Sequence, residues 1–269
     1  MRIKYLLVAS LISSLFISCH KNAVTGRTGL SLIAESELIS MSMTEYDKFL
    51  KENKTLPASD PRVEMVRRLG TGIQKSVEKY YADKGLSKQL EGFAWEFNVV
   101  EDPVVNAWCM PGGKVVVYTG ILPVTQDEKS LAVVMGHEIA HAVAQHGNER
   151  MSQGVAAQLG GAVLSVALST KPQLVHDLFL QSYGIGSQLG MLKYSRTHES
   201  EADKMGIIFA AMAGYDPRAA ISFWERMSAQ GGEKPPVLLS THPHDEKRIN
   251  DLRGFMKDAL PYYEASVKK

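Results

Sequence analysis

The sequence predicts an α+β domain, mainly helical, with a small antiparallel sheet standing directly before a histidine-bearing helix. Three observations point there. "FAWEFNVV", "VVNAWCM" and "KVVVYTG" follow one another with the alternation and β-branched content of half-buried strands. "LAVVMGHEIAHAVAQHG" then gathers three of the eight histidines in a strongly apolar run. On both sides of this block the apolar residues recur at helical spacing.

Taken in order, helical patterns cover about Glu35 to Leu50 and Pro61 to Lys84. In "FAWEFNVV", Phe93, Trp95, Phe97 and Val99 fall on one side and Glu96 and Asn98 on the other, the period of a strand with one face buried. Pro111, Gly112 and Gly113 supply a turn between the next two strands. Thr125 and Glu128 have capping-box spacing, which predicts a helix from near Gln126 through the histidines to about Met151. Val155 to Leu168 is rich in small apolar residues but too short for the roughly 20 a spanning helix needs, so close packing or a flap over a cleft is expected. A further helix is predicted over Thr197 to Ala213, ending at Gly214, and another after Asp216 and Pro217, with Ala220, Phe223, Trp224 and Met227 in the core. In a closing helix Ile249, Leu252 and Met256 share one face.

Thirty lysines and arginines against 29 acids exclude the broad positive field that nucleic-acid binding usually needs. The N-terminus stands apart. Arg2 and Lys4 precede an apolar run from Tyr5 to Ile17, then Ser18 and Cys19, the pattern of a secretory signal. "LFISC" resembles a bacterial lipobox, in which signal peptidase cuts before the cysteine and its thiol carries a diacylglyceryl group. The expected division is therefore a signal peptide over 1–18, a lipidated tether over 19–34 and a catalytic domain over 35–269. With Cys19 lipidated, Cys109 is the only free thiol and no intrachain disulfide forms.

His137 and His141 lie four residues apart, so on a helix both imidazoles leave one face and can hold one ion. In H-E-x-x-H sites the glutamate, here Glu138, binds no metal; it takes a proton from the attacking water and passes it to the leaving amine. A catalytic zinc takes three protein ligands. One class of such enzymes places a third histidine ten residues after the first; that position is Gly147, and His146, on a continuing helix, points away from the pair. The better source is "YSRTHESEADKMG", where a second helix delivers a carboxylate as in glutamate-type zincins; composition alone does not choose between Glu199 and Glu201.

"GHEIAH" followed by "SRTHESEADKMG", with "PGGKVVVYTG" before and "STHPHDEKRI" after, resembles metallopeptidase family forty-eight, the group of the HtpX, CAAX prenyl and OMA-like proteases. "AVTGRTGLSLI" after Cys19 resembles that family's bacterial envelope lipoproteins, and the likeness runs from Cys19 to about Leu252. The resemblance implies a gluzincin fold and one Zn2+ per chain held by His137, His141 and Glu201, with Glu138 as general base and Asp203 orienting a ligand. It implies that His242 approaches the zinc, blocking it in a latent form or stabilising the oxyanion, with Arg196 a further candidate for that work. It also makes "VVNAWCM" an edge strand that binds extended substrate through Asn106 and Ala107. The function expected is a lipid-anchored endopeptidase of the bacterial cell envelope, at the outer membrane facing the periplasm, digesting unfolded or misassembled envelope proteins. The rival expectation is a zinc-stabilised periplasmic chaperone or outer-membrane assembly factor that seldom cuts.

Overall fold

The computed structural model describes residues 19–159, 172–183, 194–230, 236–242 and 246–268. Residues 1–18, on which the signal reading rests, lie outside them, as does 160–171, most of the apolar stretch read as packing or flap. Among the described residues no helix is long and apolar enough to cross a membrane.

The chain begins with a short antiparallel pair, β1 (Cys19–Lys21) and β2 (Thr28–Leu30), with Cys19 opposite Leu30. Asn22 closes the turn between them by accepting from the amides of Val24 and Thr25, and its Nδ2 donates to Met205 Sδ. Residues 19–34, read from sequence as a lipidated tether, lie as a strap against the body of the protein. Downstream of β2, Leu32 N donates to Ser152 Oγ, and Asn148 Nδ2 donates to Ile33 O.

Helix α1 (Glu35–Glu52) buries Leu38, Tyr46 and Phe49. In α2 (Pro61–Asp83) Asp60 caps the first turn by accepting from Arg62 N, and Pro61 starts the helix where no amide is needed. The three-stranded sheet has the order β3-β5-β4, from β3 (Glu96–Val100), β4 (Ala107–Met110) and β5 (Lys114–Tyr118). The β4–β5 hairpin is antiparallel, turning through Gly112 and Gly113, both at φ 81°, a conformation that favours glycine. β3 joins the far side of β5 in parallel, Phe97 opposite Val115. That order leaves β4 at the edge. Alternation divides its side chains: Ala107 and Cys109 join the main core, while Trp108 and Met110 pack with Tyr46 and Phe49 of α1.

After a one-turn helix α3 (Leu122–Thr125) comes α4 (Glu128–Val143), which carries His137 and His141. Its cap is Asp127, whose Oδ1 accepts from Ser130 N at 2.8 Å, rather than Thr125, which sits inside α3. The helix does not run on to Met151. It stops at Ala144, Gln145 turns at φ 54°, and α5 (His146–Leu159) starts in a new direction. There follow α6 (Pro172–Tyr183), α7 (Arg196–Met212), α8 (Ala219–Ala229), α9 (Val237–Thr241) and α10 (Glu246–Val267). Ala220, Phe223, Trp224 and Met227 are buried as expected, and so are Leu252 and Met256; Asp216 accepts from Arg218 N, but the helix proper starts later, at Ala219.

The crossing of α4 and α7 positions the site. A Cβ on Gly136 would stand 2.7 Å from Gly206 O, and one on Gly206 would stand 2.7 Å from His137 N. The two backbones therefore touch, and the side chains one turn either side of the contact meet across it.

Candidate metal centre

His137 and His141 project from α4 into the crossing, their Nε2 atoms 3.0 Å apart. Glu199, on the first turn of α7, faces them: its Oε1 is 3.4 Å from His141 Nε2 and its Oε2 3.5 Å from His137 Nε2. Ser195 caps that turn by accepting from His198 N, which fixes where α7 begins and so where Glu199 points. His242, at the end of α9, completes the group with Nδ1 2.9 Å from Glu199 Oε1 and 3.2 Å from His137 Nε2. One donor atom from each of these four buried residues lies within 4.8 Å of the others. Three imidazole nitrogens and a carboxylate oxygen converging out of water form a donor set that fits a metal ion.

Glu201, expected as the third ligand, stands elsewhere. Residues two apart on a helix point to nearly opposite sides, whereas residues four apart share a face. Glu199 and Asp203 accordingly face α4 together, and Glu201 turns away to His146, Thr25 and Arg27. The sequence held this signal: once Asp203 is set beside a histidine, its helical partner is Glu199.

Asp203, expected to orient a ligand, accepts a hydrogen bond from His137 Nδ1 at 3.0 Å. Its companion was missed. Arg248, on the first turn of α10, gives Asp203 two bonds of 2.7 Å, lies 3.0 Å from Glu199 Oε2 and stacks 3.5 Å over the Trp224 ring. It belongs to the quoted "DEKRI", where nothing but burial separates it from its neighbour Lys247. Arg196, the candidate singled out from sequence, is exposed at the start of α7 and lines a groove between α7 and α10.

These charges set the protonation of the group. Burial works against a charge on Glu199, but His242 and Arg248 outweigh it and hold the carboxyl well below its usual range. Burial likewise opposes ionisation of Asp203, and Arg248 and His137 overcome it. His137 is disfavoured as a cation by burial, yet Asp203 and Glu199 hold it up to about 9. Glu138 differs: burial raises its carboxyl, with His242 and His137 only partly offsetting this. Its Oε1 has no hydrogen-bond partner and lies 3.6 Å from His242 Nε2.

Glu138 and His242 line a small cavity of about 30 Å³ together with Asn106 and with Ala107 and Cys109 of β4. Tyr194, Arg150 and Tyr183 border the same cavity; Tyr194 stacks on His141 with centroids 3.8 Å apart, and the Arg150 guanidinium lies 3.6 Å over the Tyr194 ring. Cys109 is fully buried, and burial pushes its thiol well up, so it is protonated packing. Cys19 is exposed.

The model of peptidase family M48 matches residues 69–256. Mitochondrial metalloendopeptidase OMA1 of Arabidopsis thaliana is 39% identical over 71% of this chain and 38% of its own length. The protein of that name from Schizosaccharomyces pombe is 34% identical over 84% of this chain and 63% of its own. The beta-barrel assembly-enhancing protease of Yersinia pestis is 26% identical over 97% of this chain and 55% of its own. The chain thus spans between about two fifths and two thirds of these relatives. The bacterial outer-membrane address expected from Cys19 is corrected by these matches, since the relatives at 34% and 39% identity are mitochondrial proteins. The H-E-x-x-H helix, the carboxylates of α7 and the histidine after α9 all fall inside the matched residues, and the chain belongs to peptidase family M48.

Proposed function

We propose that the chain is a zinc metalloendopeptidase acting on misfolded or misassembled proteins, with the metal held by His137, His141 and Glu199. The observation that carries the reading is the convergence of these three side chains beside a buried Glu138. Zinc takes nitrogen and oxygen ligands at about 2.0–2.1 Å in a tetrahedron, which sets its ligands about 3.3 Å apart. The two Nε2 atoms are 3.0 Å apart, and the Glu199 carboxylate reaches His141 Nε2 through Oε1 at 3.4 Å and His137 Nε2 through Oε2 at 3.5 Å, close to that spacing. When bound, zinc supplies a Lewis acid that polarises the peptide carbonyl and acidifies water.

The chain's own residues do the rest. Glu138 takes the proton of the attacking water and gives it to the leaving amine, a task helped by a carboxyl raised above its usual range. Asp203 and Arg248 keep His137 oriented with Nε2 toward the metal. An extended substrate adds to the edge strand β4 by backbone hydrogen bonds along Asn106 and Ala107, which border the cavity holding Glu138. Backbone pairing reads little side-chain detail, which suits substrates recognised by lost structure; the name of the Yersinia relative agrees with that substrate class. His242 sits among the ligands, where it closes the site until it is displaced.

The test compares the parent with Glu138→Gln, measuring bound zinc and casein cleavage with and without a chelator. The expected result is equal zinc and a loss of cleavage of at least about 100-fold in the variant. Zinc in both with cleavage in neither, even after His242→Ala, would replace this reading with that of a client-holding protein.

A further inference from the structure

Of the two metal-binding histidines, His137 has a carboxylate of its own in Asp203, whereas the Nδ1 of His141 meets another imidazole, His146 Nδ1, at 2.9 Å. Two ring nitrogens at that distance share one proton. Counting donors shows whose it is. The other nitrogen of His146, Nε2, lies 3.1 Å from Glu201 Oε2, and an ionised carboxylate only accepts. The proton of a neutral His146 is therefore on Nε2, its Nδ1 is bare, and His141 must be the donor through Nδ1–H. That leaves the lone pair of His141 on Nε2, the nitrogen facing His137 and Glu199.

We propose that Glu201 and His146 form a relay that fixes the tautomer and plane of His141, and that the N-terminal strap anchors its outer end through Thr25 and Arg27. The inference rests on His137, His141 and Glu199 being the metal-holding set. Glu201 Oε2 accepts from Arg27 Nε at 2.8 Å, and Glu201 Oε1 accepts from the Thr25 hydroxyl. Arg27 gives its two remaining nitrogens to Glu149 at 2.9 and 2.8 Å, tying α5 to α7. The relay exists because the helix breaks at Gln145, which turns His146 back toward His141. Glu201 is then a positioning residue, acting on the metal through two imidazoles.

The experiment measures zinc affinity of the full chain by chelator competition in a double-mutant cycle. Glu201→Gln should weaken zinc binding about 10- to 100-fold, the usual cost of losing an outer hydrogen-bond partner. His146→Asn keeps an oxygen near the old Nδ1 to accept from His141 but no longer reaches Glu201. In that background Glu201→Gln should change affinity by less than about threefold, because the link is already cut. An unchanged affinity on Glu201→Gln alone, or an equal loss in both backgrounds, overturns the relay; the second result would mean that Glu201 is a ligand or acts only on folding. Long-range proton–nitrogen correlation NMR of the metal-free chain gives an independent reading, expected to show His141 protonated at Nδ1 in the parent, and protonation at Nε2 would sink the proposal. Should Glu201→Gln fail to fold, Arg27→Gln, at a residue partly open to solvent, replaces it: a loss of zinc affinity of about threefold or more supports the anchor and unchanged affinity refutes it. Glu199→Gln serves as control, since unaltered zinc binding there would topple the metal-holding set itself rather than the relay.

Discussion

Glu35 opens α1 with one carboxylate oxygen accepting from Asn148 Nδ2 at 3.2 Å and the other without a hydrogen-bond partner. Burial lifts its carboxyl from the ordinary 4.5 to about 7, the Asn148 bond pulling it partly back. A carboxyl raised in the folded state binds its proton more tightly there than in the unfolded chain. It therefore costs nothing below about pH 4.5, costs progressively more as pH rises, and reaches its full penalty above about 7. Glu35→Gln keeps an acceptor for Asn148 and removes the charge. We expect it to raise the melting temperature at pH 8 by on the order of 10 °C, from about 3 kcal/mol, and to leave it unchanged at pH 4. The same shift at both pH values would show that ionisation is not the cause.

The contact of α4 with α7 is the element on which the metal centre depends, because Gly136 and Gly206 let the two backbones touch. A methyl group on Gly206 would meet His137 N at 2.7 Å, and backbone has nowhere to yield except by separating the helices. Gly206→Ala should destabilise the protein by about 2 kcal/mol and weaken zinc binding, read by thermal melting and chelator competition. Wild-type zinc affinity in a destabilised variant would show that the spacing of the helices is not critical. Much of this scale was legible beforehand. Helical period, the glycine turn at Gly112 and Gly113, and the i, i+4 histidines are local signals, and α1, α2, the hairpin and α7 fall close to where they predict. The parallel seat of β3 beside β5 was not legible, since strand order depends on contacts far apart in sequence. Nor was the break at Gln145: nothing in "AVAQHG" marks a glutamine for positive φ, and without that break His146 reads as pointing away. The choice between Glu199 and Glu201 was within reach of helical geometry, but the role of Arg248 needed the fold that brings α10 against α7.

Within the whole fold, the metal centre is crowded among the described residues. His242 occupies the metal centre, and Tyr183, Tyr194 and Arg150 border the cavity between the centre and β4. On the proposed reading, a substrate strand reaches Glu138 only once these groups move aside. His242→Ala should therefore bind zinc and cleave casein faster than the parent; slower cleavage with zinc retained would place His242 in the reaction rather than at the gate.

The bonds of Arg27 also set a clock. Its partners Glu149 and Glu201 lie 122 and 174 residues further along the chain. At the roughly 5–20 residues per second of protein synthesis, the strap waits on the order of ten to thirty seconds for the second of them. Until then the bonds that tie α5 and α7 to the strap cannot close, so the strap is among the first segments made and among the last of the described residues to be secured.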